Sequence, residues 1–190
     1  MNKVLLVDFD GVMCDMLTPV IAIYNRQHHH YTGEMLSIKD ITDWVLPAGM
    51  KEIFMHTPNF FADLKPHEGA IEGVTYLARH FKVYFVTDAL SNPNIARDKL
   101  RWREKYELTN IPIIITGDKA LINGDIIIDD APHHLKNFIS SGSGKVGISV
   151  DLKGAPYTQK LDQDIKPFIK TAKSWDEILD RVYEFSVPFK

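Results

Sequence analysis

The stretch Val4-Leu5-Leu6-Val7-Asp8-Phe9-Asp10-Gly11 decides the fold, because an apolar run leads directly into two acidic residues. An apolar run of this kind is typical of a strand that is buried on both faces, as in a parallel sheet. Side chains alternate along a strand, so Asp8 and Asp10 would share a face only if the chain stayed extended. Gly11 instead indicates an immediate turn, which would gather both carboxylates in one loop.

A second acidic pair, Asp129-Asp130, follows the apolar run Ile126-Ile127-Ile128. Two strands that both end in paired acids are typical of a site for a hard cation. Mg²⁺ prefers oxygen ligands, takes few of them from the protein and often completes its shell with a phosphate. The two pairs therefore predict a Mg²⁺ site at the ends of two strands.

Strands and helices alternate along most of the chain. After residues 4–8, the β-rich runs are residues 82–87, 111–116, 125–129 and 145–150. The segments with helical periodicity or helix-start signals are residues 69–79, 95–106, 132–139 and 174–185. This alternation predicts an α/β fold with a doubly wound, mostly parallel, Rossmann-like sheet of five or more strands.

Residues 16–65 interrupt this rhythm. They separate the first strand from the second by a stretch too long for one ordinary crossover, and they are helical in pattern and rich in aromatic residues. We expect residues 1–15 and 66–190 to form the core and residues 16–65 to form a small helical cap. An insert at this point would lie above the carboxyl ends of the strands, where such folds bind ligands.

The composition narrows the classes of function. The 190 residues carry a formal net charge of −3 and no strongly basic stretch, which argues against binding of extended nucleic acid. No apolar run approaches the roughly 18 residues that indicate a membrane span. Cys14 is the only cysteine, which excludes an internal disulfide and fits a reducing cytosol. We therefore expect a cytoplasmic protein with no membrane partner.

Four motifs, in chain order, resemble those of the haloacid dehalogenase (HAD) superfamily of phosphotransferases. They are Asp8-Phe9-Asp10-Gly11-Val12, Thr87 at the end of an apolar strand, Lys119 in Thr116-Gly117-Asp118-Lys119, and Asp129-Asp130. One D-x-D pattern is weak evidence. Four motifs in order, each at a strand end or in the loop after it, are specific.

Further residues resemble the 5'(3')-deoxyribonucleotidase family over roughly residues 3–137. The shared pattern comprises Asp10-Gly11-Val12 with Asp15, Tyr24-Asn25, Ile41-Thr42-Asp43-Trp44, Phe60-Phe61-Ala62-Asp63-Leu64-Lys65-Pro66 and Gly69-Ala70. Two positions depart from the family. Asp88-Ala89 follows Thr87, where a small hydroxyl residue and proline are expected, and Ala131 follows Asp130, where arginine is common. Asp88 adds negative charge near a bound phosphate, so the departures bear on substrate preference.

The resemblance implies a role for each motif. Asp8 would be the nucleophile and form an aspartyl-phosphate, as carboxylates do in other phosphotransferases. Asp10 would protonate the leaving alkoxide and then activate water. Thr87 and Lys119 would bind the phosphoryl oxygens, because phosphoryl transfer depends chiefly on positioning and charge stabilisation.

The same resemblance implies Mg²⁺ as the cofactor. Asp8, the backbone carbonyl of Asp10 and a carboxylate of the second pair would be its ligands. Asp130 is the first choice for that carboxylate, with Asp129 in a supporting role, but the sequence does not order the two.

The predicted cap would select the leaving group. Trp44, Phe60 and Phe61 could stack on or enclose a nucleobase, and stacking on an aromatic ring contributes about 1–3 kcal/mol per base. The alternative is that they form the core of the cap, as aromatic residues in helical inserts usually do. Met13 could pack against the sugar where a 2'-hydroxyl would otherwise lie. Because burying that hydroxyl unpaired costs free energy, such a site would favour deoxyribose.

We therefore expect a Mg²⁺-dependent phosphomonoester hydrolase that acts on deoxyribonucleoside monophosphates. Three alternatives remain open: a HAD phosphatase for a sugar phosphate or another small ester, a phosphatase on DNA or RNA ends, and a non-catalytic nucleotide-binding module. The acidic balance argues against the second, and the intact catalytic set argues against the third. Members of the resembled family tend to dimerise, so a homodimer is a further expectation.

Overall fold

The computed structural model describes residues 3–33, 35–42, 49–142 and 144–186, with the backbone alone for residues 29–32. The strands are β1 (Val4–Asp8), β2 (Lys82–Thr87), β3 (Ile113–Ile115), β4 (Ile126–Asp129), β5 (Val146–Val150) and β6 (Ile169–Ala172). In the described part of the chain they form one parallel sheet in the order β3-β2-β1-β4-β5-β6. Strands β1 and β4 are neighbours at the centre of the sheet, so the two acidic pairs lie side by side at the carboxyl-terminal ends of these strands.

The described helices are α1 (Leu17–Thr32), α2 (Met50–His56), α3 (Ala70–His80), α4 (Pro93–Lys105), α5 (Pro132–Ser140) and α6 (Trp175–Ser186). Successive residues of β1 enter different hydrophobic clusters. Leu5 joins the cluster that contains Trp102 of α4 and Trp175 of α6, whereas Leu6 joins the cluster that contains Phe138 of α5. The strand is therefore buried on both faces, as its continuous apolar run predicts.

This architecture confirms the predicted α/β fold with a doubly wound parallel sheet. Strand β3 is shorter than the predicted residues 111–116. Ile111 belongs to a turn, since its amide donates to Leu108 O at 3.0 Å, and Pro112 has no amide hydrogen to donate. The sheet gains a sixth strand, β6, at its edge.

The stretch between β1 and α3 contains α1, α2 and the short 3₁₀ helices Ile38–Asp40 and Phe61–Asp63. Its two ends meet beside the acidic loop. The amide of Asp15 donates to Lys65 O at 2.9 Å, and the amide of His67 donates to Met13 O at 3.0 Å. The division into core and cap stays a prediction. Of the helices in the described ranges, none has the length and apolar character needed to cross a membrane.

Candidate active site

The loop after β1 is a tight turn. The amide of Gly11 donates to Cys14 O at 2.9 Å, and the amide of Met13 donates to Phe9 O at 3.0 Å. Gly11 has a φ of +82°, a backbone conformation that residues with a Cβ atom rarely adopt. The turn predicted from this glycine is therefore confirmed. The turn directs Asp8 and Asp10 into the same cavity.

Lys119 joins the two acidic pairs. Its Nζ lies 2.6 Å from Asp8 Oδ1 and 2.7 Å from Asp129 Oδ2, and its side chain is only 2% exposed. Burial lowers the pKa of Lys119, but the charges of Asp129 and Asp8 outweigh burial and hold this pKa above its ordinary value. The residue therefore carries a fixed positive charge at the point where β1 and β4 end.

The carboxylate of Asp129 is fully engaged by protein groups. Its Oδ1 accepts from the amide of Ala131 at 2.9 Å and lies 3.3 Å from His134 Nδ1, while its Oδ2 accepts from Lys119. Burial raises the pKa of Asp129, but Lys119 and His134 outweigh it, so the pKa lies below its ordinary value. Asp129 therefore orients Lys119, and both of its carboxylate oxygens already have protein partners.

Asp130 differs from its neighbour. Its Oδ2 accepts from the hydroxyl of Tyr157, whereas its Oδ1 is buried and has no hydrogen-bond partner among the residues that the structure describes. Burial, together with the charges of Asp8 and Asp129, raises its pKa well above the ordinary value. An unpartnered buried carboxylate oxygen is costly, so a group that binds there would be favoured.

These acids fit a divalent cation. Carboxylate oxygens of Asp8, Asp129 and Asp130 lie within 4.8 Å of one another. Burial raises the pKa of Asp8 to about 6, with Asp129 and Asp10 adding to the effect and Lys119 opposing it. Hard oxygen donors and mutual repulsion are the conditions under which Mg²⁺ binds. The geometry favours Asp8 and Asp130 over Asp129 as side-chain ligands.

Lys99 also belongs to the site, although it lies in none of the sequence motifs. Its fully buried ammonium group forms an ion pair with Asp10, lies 2.5 Å from Thr87 Oγ1 and lies 3.4 Å from Asp88 O. The charged segment 95–106 predicts a helix, and none of the four motifs includes Lys99. The spacing of Lys99 from Ile95 and Trp102, four and three residues, puts all three on one helical face, and this was the available signal.

A cavity of about 390 Å³ opens above these groups. The described residues that line it are Asp8, Asp10, Met16, Leu17, Lys51, Phe54, Phe61, Thr87, Asp88, Ser91, Ile95, Lys119, His134 and Tyr157. The predicted site residues Asp8, Asp10, Thr87, Asp88, Lys119 and Phe61 are thus brought together. One wall is mostly apolar and comes from α1, α2 and α4, whereas the floor is charged.

The structure does not bring every predicted substrate contact to this cavity. Met13 is fully buried, and Phe60 is 5% exposed and packs edge-on against Phe61 with 5.2 Å between ring centroids. Among the described residues, neither lines the cavity, because the tight loop turns Met13 inward and Phe60 fills the space behind Phe61. Trp44 lies outside the described residues, so its contact with a base stays a prediction.

The comparisons with known proteins bear on the whole chain. The family model described as "5' nucleotidase, deoxy (Pyrimidine), cytosolic type C protein" matches residues 2–183. The 5'(3')-deoxyribonucleotidase of Bacillus subtilis (strain 168) is 30% identical over 184 residues, which cover 94% of this chain and 97% of that protein.

Two solved structures resemble the fold. The L-2-haloacid dehalogenase of Xanthobacter autotrophicus has a TM-score of 0.62 at 12% identity, with 96% of this chain and 99% of that chain covered. The HAD hydrolase YfnB of Bacillus subtilis, solved with bound magnesium, has a TM-score of 0.61 at 13% identity. The match covers 95% of this chain and 98% of that chain. At these identities the likeness concerns the fold alone. The family match, by contrast, spans nearly the whole chain, and we conclude that the protein belongs to the 5' nucleotidase, deoxy (Pyrimidine), cytosolic type C family of phosphoric monoester hydrolases, within the haloacid dehalogenase-like fold.

Proposed function

We propose that this protein is a Mg²⁺-dependent 5'(3')-deoxyribonucleotidase that hydrolyses deoxyribonucleoside monophosphates through an aspartyl-phosphate. One observation carries the proposal: Asp8 and Lys119 lie at the floor of a cavity with an apolar wall, and carboxylate oxygens of Asp8 and Asp130 lie within 4.8 Å of each other. The Oδ1 of Asp130 has no hydrogen-bond partner among the described residues. The name of the Bacillus subtilis relative supports the substrate class, and the magnesium bound to YfnB supports the cofactor.

The first half-reaction transfers the phosphoryl group to the protein. A carboxylate oxygen of Asp8 bonds to phosphorus as the ester P–O bond breaks, and Asp10 gives its proton to the leaving alkoxide. In the second half-reaction Asp10 takes a proton from water, the water oxygen bonds to phosphorus and the acyl phosphate P–O bond breaks. Inorganic phosphate leaves, and Asp8 is restored.

The phosphoryl oxygens need positive charge and hydrogen-bond donors. Lys119 lies 2.6 Å from Asp8 Oδ1 and would contact oxygens of the phosphoryl group whose phosphorus Asp8 attacks. The hydroxyl of Thr87, which also lines the cavity, would donate to the same oxygens. Bound Mg²⁺, held by Asp8, Asp130 and the backbone carbonyl of Asp10, would neutralise phosphoryl charge so that an anionic nucleophile can approach.

Lys99 would orient the residue that moves the protons. Its ammonium group pairs with Asp10 and contacts Thr87, so it can hold the carboxylate and the hydroxyl in one arrangement. Because Lys99 is fully buried, solvent screens its charge poorly.

The leaving nucleoside would lie against the apolar wall. Phe54 and Phe61 offer aromatic faces for a base, and Met16, Leu17 and Ile95 offer no partner for a ribose 2'-hydroxyl. A 2'-hydroxyl buried there would lose its hydrogen bonds to water, which disfavours ribonucleotides. We further propose that the enzyme works in the reducing cytoplasm, with Cys14 as a free thiol. A homodimer stays a prediction.

The test is phosphate release from matched substrates, with and without Mg²⁺. The panel pairs dUMP, dTMP and dGMP with UMP and GMP, and adds 3'-monophosphates and sugar phosphates. We expect Mg²⁺-dependent release with at least a tenfold preference in kcat/KM for deoxyribose, and none from Asp8→Asn. Equal activity on sugar phosphates would overturn the substrate class, and unchanged activity of Asp8→Asn would overturn the mechanism.

A further inference from the structure

We propose that Tyr157 is a positioning residue that fixes one oxygen of Asp130 and so presents the other oxygen to the divalent cation. The inference rests on the proposed function, in which Asp130 is a ligand of Mg²⁺. It assigns a task to a residue that lies far from the four motifs, in the connection between β5 and β6.

The hydrogen bond from Tyr157 makes the two carboxylate oxygens of Asp130 different from each other. The hydroxyl of Tyr157 donates to Asp130 Oδ2, while Asp130 Oδ1 is buried with no protein partner in the described ranges. Both residues are buried, at 4% and 5% exposure. One oxygen is thus held by the protein and the other is left for a ligand.

Gly11 confines the same carboxylate from the side of the acidic loop. A Cβ atom added at Gly11 would lie 2.2 Å from Asp130 Oδ2 and 2.6 Å from Asp130 Cγ, far closer than real Cβ contacts. The backbone of the first acidic loop therefore packs directly on Asp130. With Gly11 on one side and the Tyr157 hydroxyl bound to Oδ2, the carboxylate has one preferred orientation.

The segment that carries Tyr157 is itself anchored. Asp151 Oδ1 accepts from the amides of Gly154 and Ala155, at 2.7 and 3.1 Å. The hydroxyl of Thr158 donates to Ala155 O at 2.8 Å, which closes the turn around Tyr157. These bonds fix the backbone on both sides of the ring.

A further ion pair ties this segment to the chain that follows the acidic loop after β1. Lys153 Nζ lies 2.6 Å from Asp15 Oδ2, directly after the acidic loop. The segment is thus held at two points, to the chain after the acidic loop through Lys153 and to Asp130 through Tyr157. A rigid support of this kind can set the position of a ligand oxygen.

The chemistry of the cation makes that position important. Mg²⁺ requires near-ideal octahedral geometry with short metal–oxygen distances, whereas Ca²⁺ accepts more ligands at varied positions. Removing the hydrogen-bond partner of a metal ligand typically lowers metal affinity or activity by about 10–100-fold. Loss of the Tyr157 hydroxyl should therefore weaken Mg²⁺ binding more than Ca²⁺ binding.

The experiment is calorimetric titration of the full chain with MgCl₂ or CaCl₂, without substrate. We expect Tyr157→Phe, which keeps the ring, to raise the Kd for Mg²⁺ about tenfold and the Kd for Ca²⁺ less than about threefold. Tyr183→Phe is the matched control, because it removes a hydroxyl that bonds Tyr76 at the surface, 3.1 Å away. Its Kd values should equal those of the wild type.

A second variant keeps the hydroxyl and loosens its support. Asp151→Ala removes the acceptor for Gly154 and Ala155, and we expect a two- to fivefold rise in the Mg²⁺ Kd, whether or not Tyr157→Phe folds. If the wild type binds Mg²⁺ and neither variant changes its Kd or the Mg²⁺/Ca²⁺ ratio, the role of Tyr157 is wrong while the proposed function stands. A wild type that binds no Mg²⁺ would overturn both.

Discussion

The ammonium group of Lys99 forms an ion pair with the carboxylate of Asp10, although the two residues lie 89 positions apart in the chain. The same group lies 2.5 Å from the hydroxyl of Thr87. Lys99 is fully buried, whereas the side chain of Asp10 is 19% exposed toward the cavity. Helix α4 therefore supplies a charge to the floor of the site, where it contacts two residues assigned to the chemistry.

Replacing Lys99 should impair proton transfer. We expect Lys99→Met to lower kcat for phosphate release about 100-fold, because Asp10 loses the partner that orients it. Lys105→Met, on the exposed side of the same helix, should retain wild-type kcat. Steady-state kinetics on the best deoxyribonucleotide checks both. A kcat within twofold of wild type would contradict the assigned role of Lys99.

Two adjacent phenylalanines should respond differently to the same substitution. Phe61 lines the cavity and Phe60 packs behind it. We expect Phe61→Leu to raise KM for a deoxyribonucleotide about fivefold through lost stacking. Phe60→Leu should leave KM unchanged and lower the free energy of unfolding by about 1–2 kcal/mol. Kinetics and urea unfolding separate the two effects, and an equal rise in KM for both variants would refute the distinction.

A methyl group at Gly11 should displace Asp130. Gly11→Ala places a Cβ 2.2 Å from Asp130 Oδ2 in a backbone with a φ of +82°. We expect phosphate release to fall at least tenfold, in line with loss of an aligned metal ligand. Gly144→Ala has similar backbone strain, at a φ of +76°, but no atom within 4 Å of its Cβ, and it should keep full activity. Equal losses in both variants would mean that strain alone explains the effect.

The charge of Asp88 should oppose substrate binding. Asp88 lines the cavity, and its Oδ1 accepts from the amide of Leu90 at 3.1 Å. Asp88→Asn keeps an acceptor oxygen and removes the charge, so we expect KM for phosphate esters to fall about threefold at low salt, with a smaller change at high salt. A KM that rises instead would indicate that Asp88 binds a donor group of the substrate.

His67 should make stability depend on pH. Burial lowers its pKa from 6.5 to about 4, so the folded state keeps it neutral while the unfolded chain binds a proton. The free energy of unfolding should therefore fall as the pH drops from 6.5 to about 4, by up to about 3 kcal/mol from this group. Urea unfolding across this range checks the slope. His67→Leu should flatten it, whereas the exposed His56→Gln should not.

Local patterns were sufficient for much of the fold. The predicted bounds of β1 and β2 agree with the structure, because an apolar run buried on both faces is visible in the sequence itself. The turn at Gly11 was equally predictable, since a residue at positive φ is a local requirement. The weakest local signal was at β3, where a proline and a turn at Ile111 shorten the strand.

The site, like the fold, has a part that local sequence patterns predict and a part that they do not. By itself, the sequence determined that paired acidic residues stand where two strands end, at Asp8 and at Asp129-Asp130. It also determined that a threonine and a lysine stand in the remaining motifs, because each motif lies at the end of a strand or in the loop after it. Only the tertiary structure decided that Lys99 reaches Asp10, that Tyr157 binds Asp130 and that Phe61, not Phe60, faces the cavity. Those contacts join residues from separate elements, and they depend on how the helices and loops pack against the sheet, which no local pattern encodes.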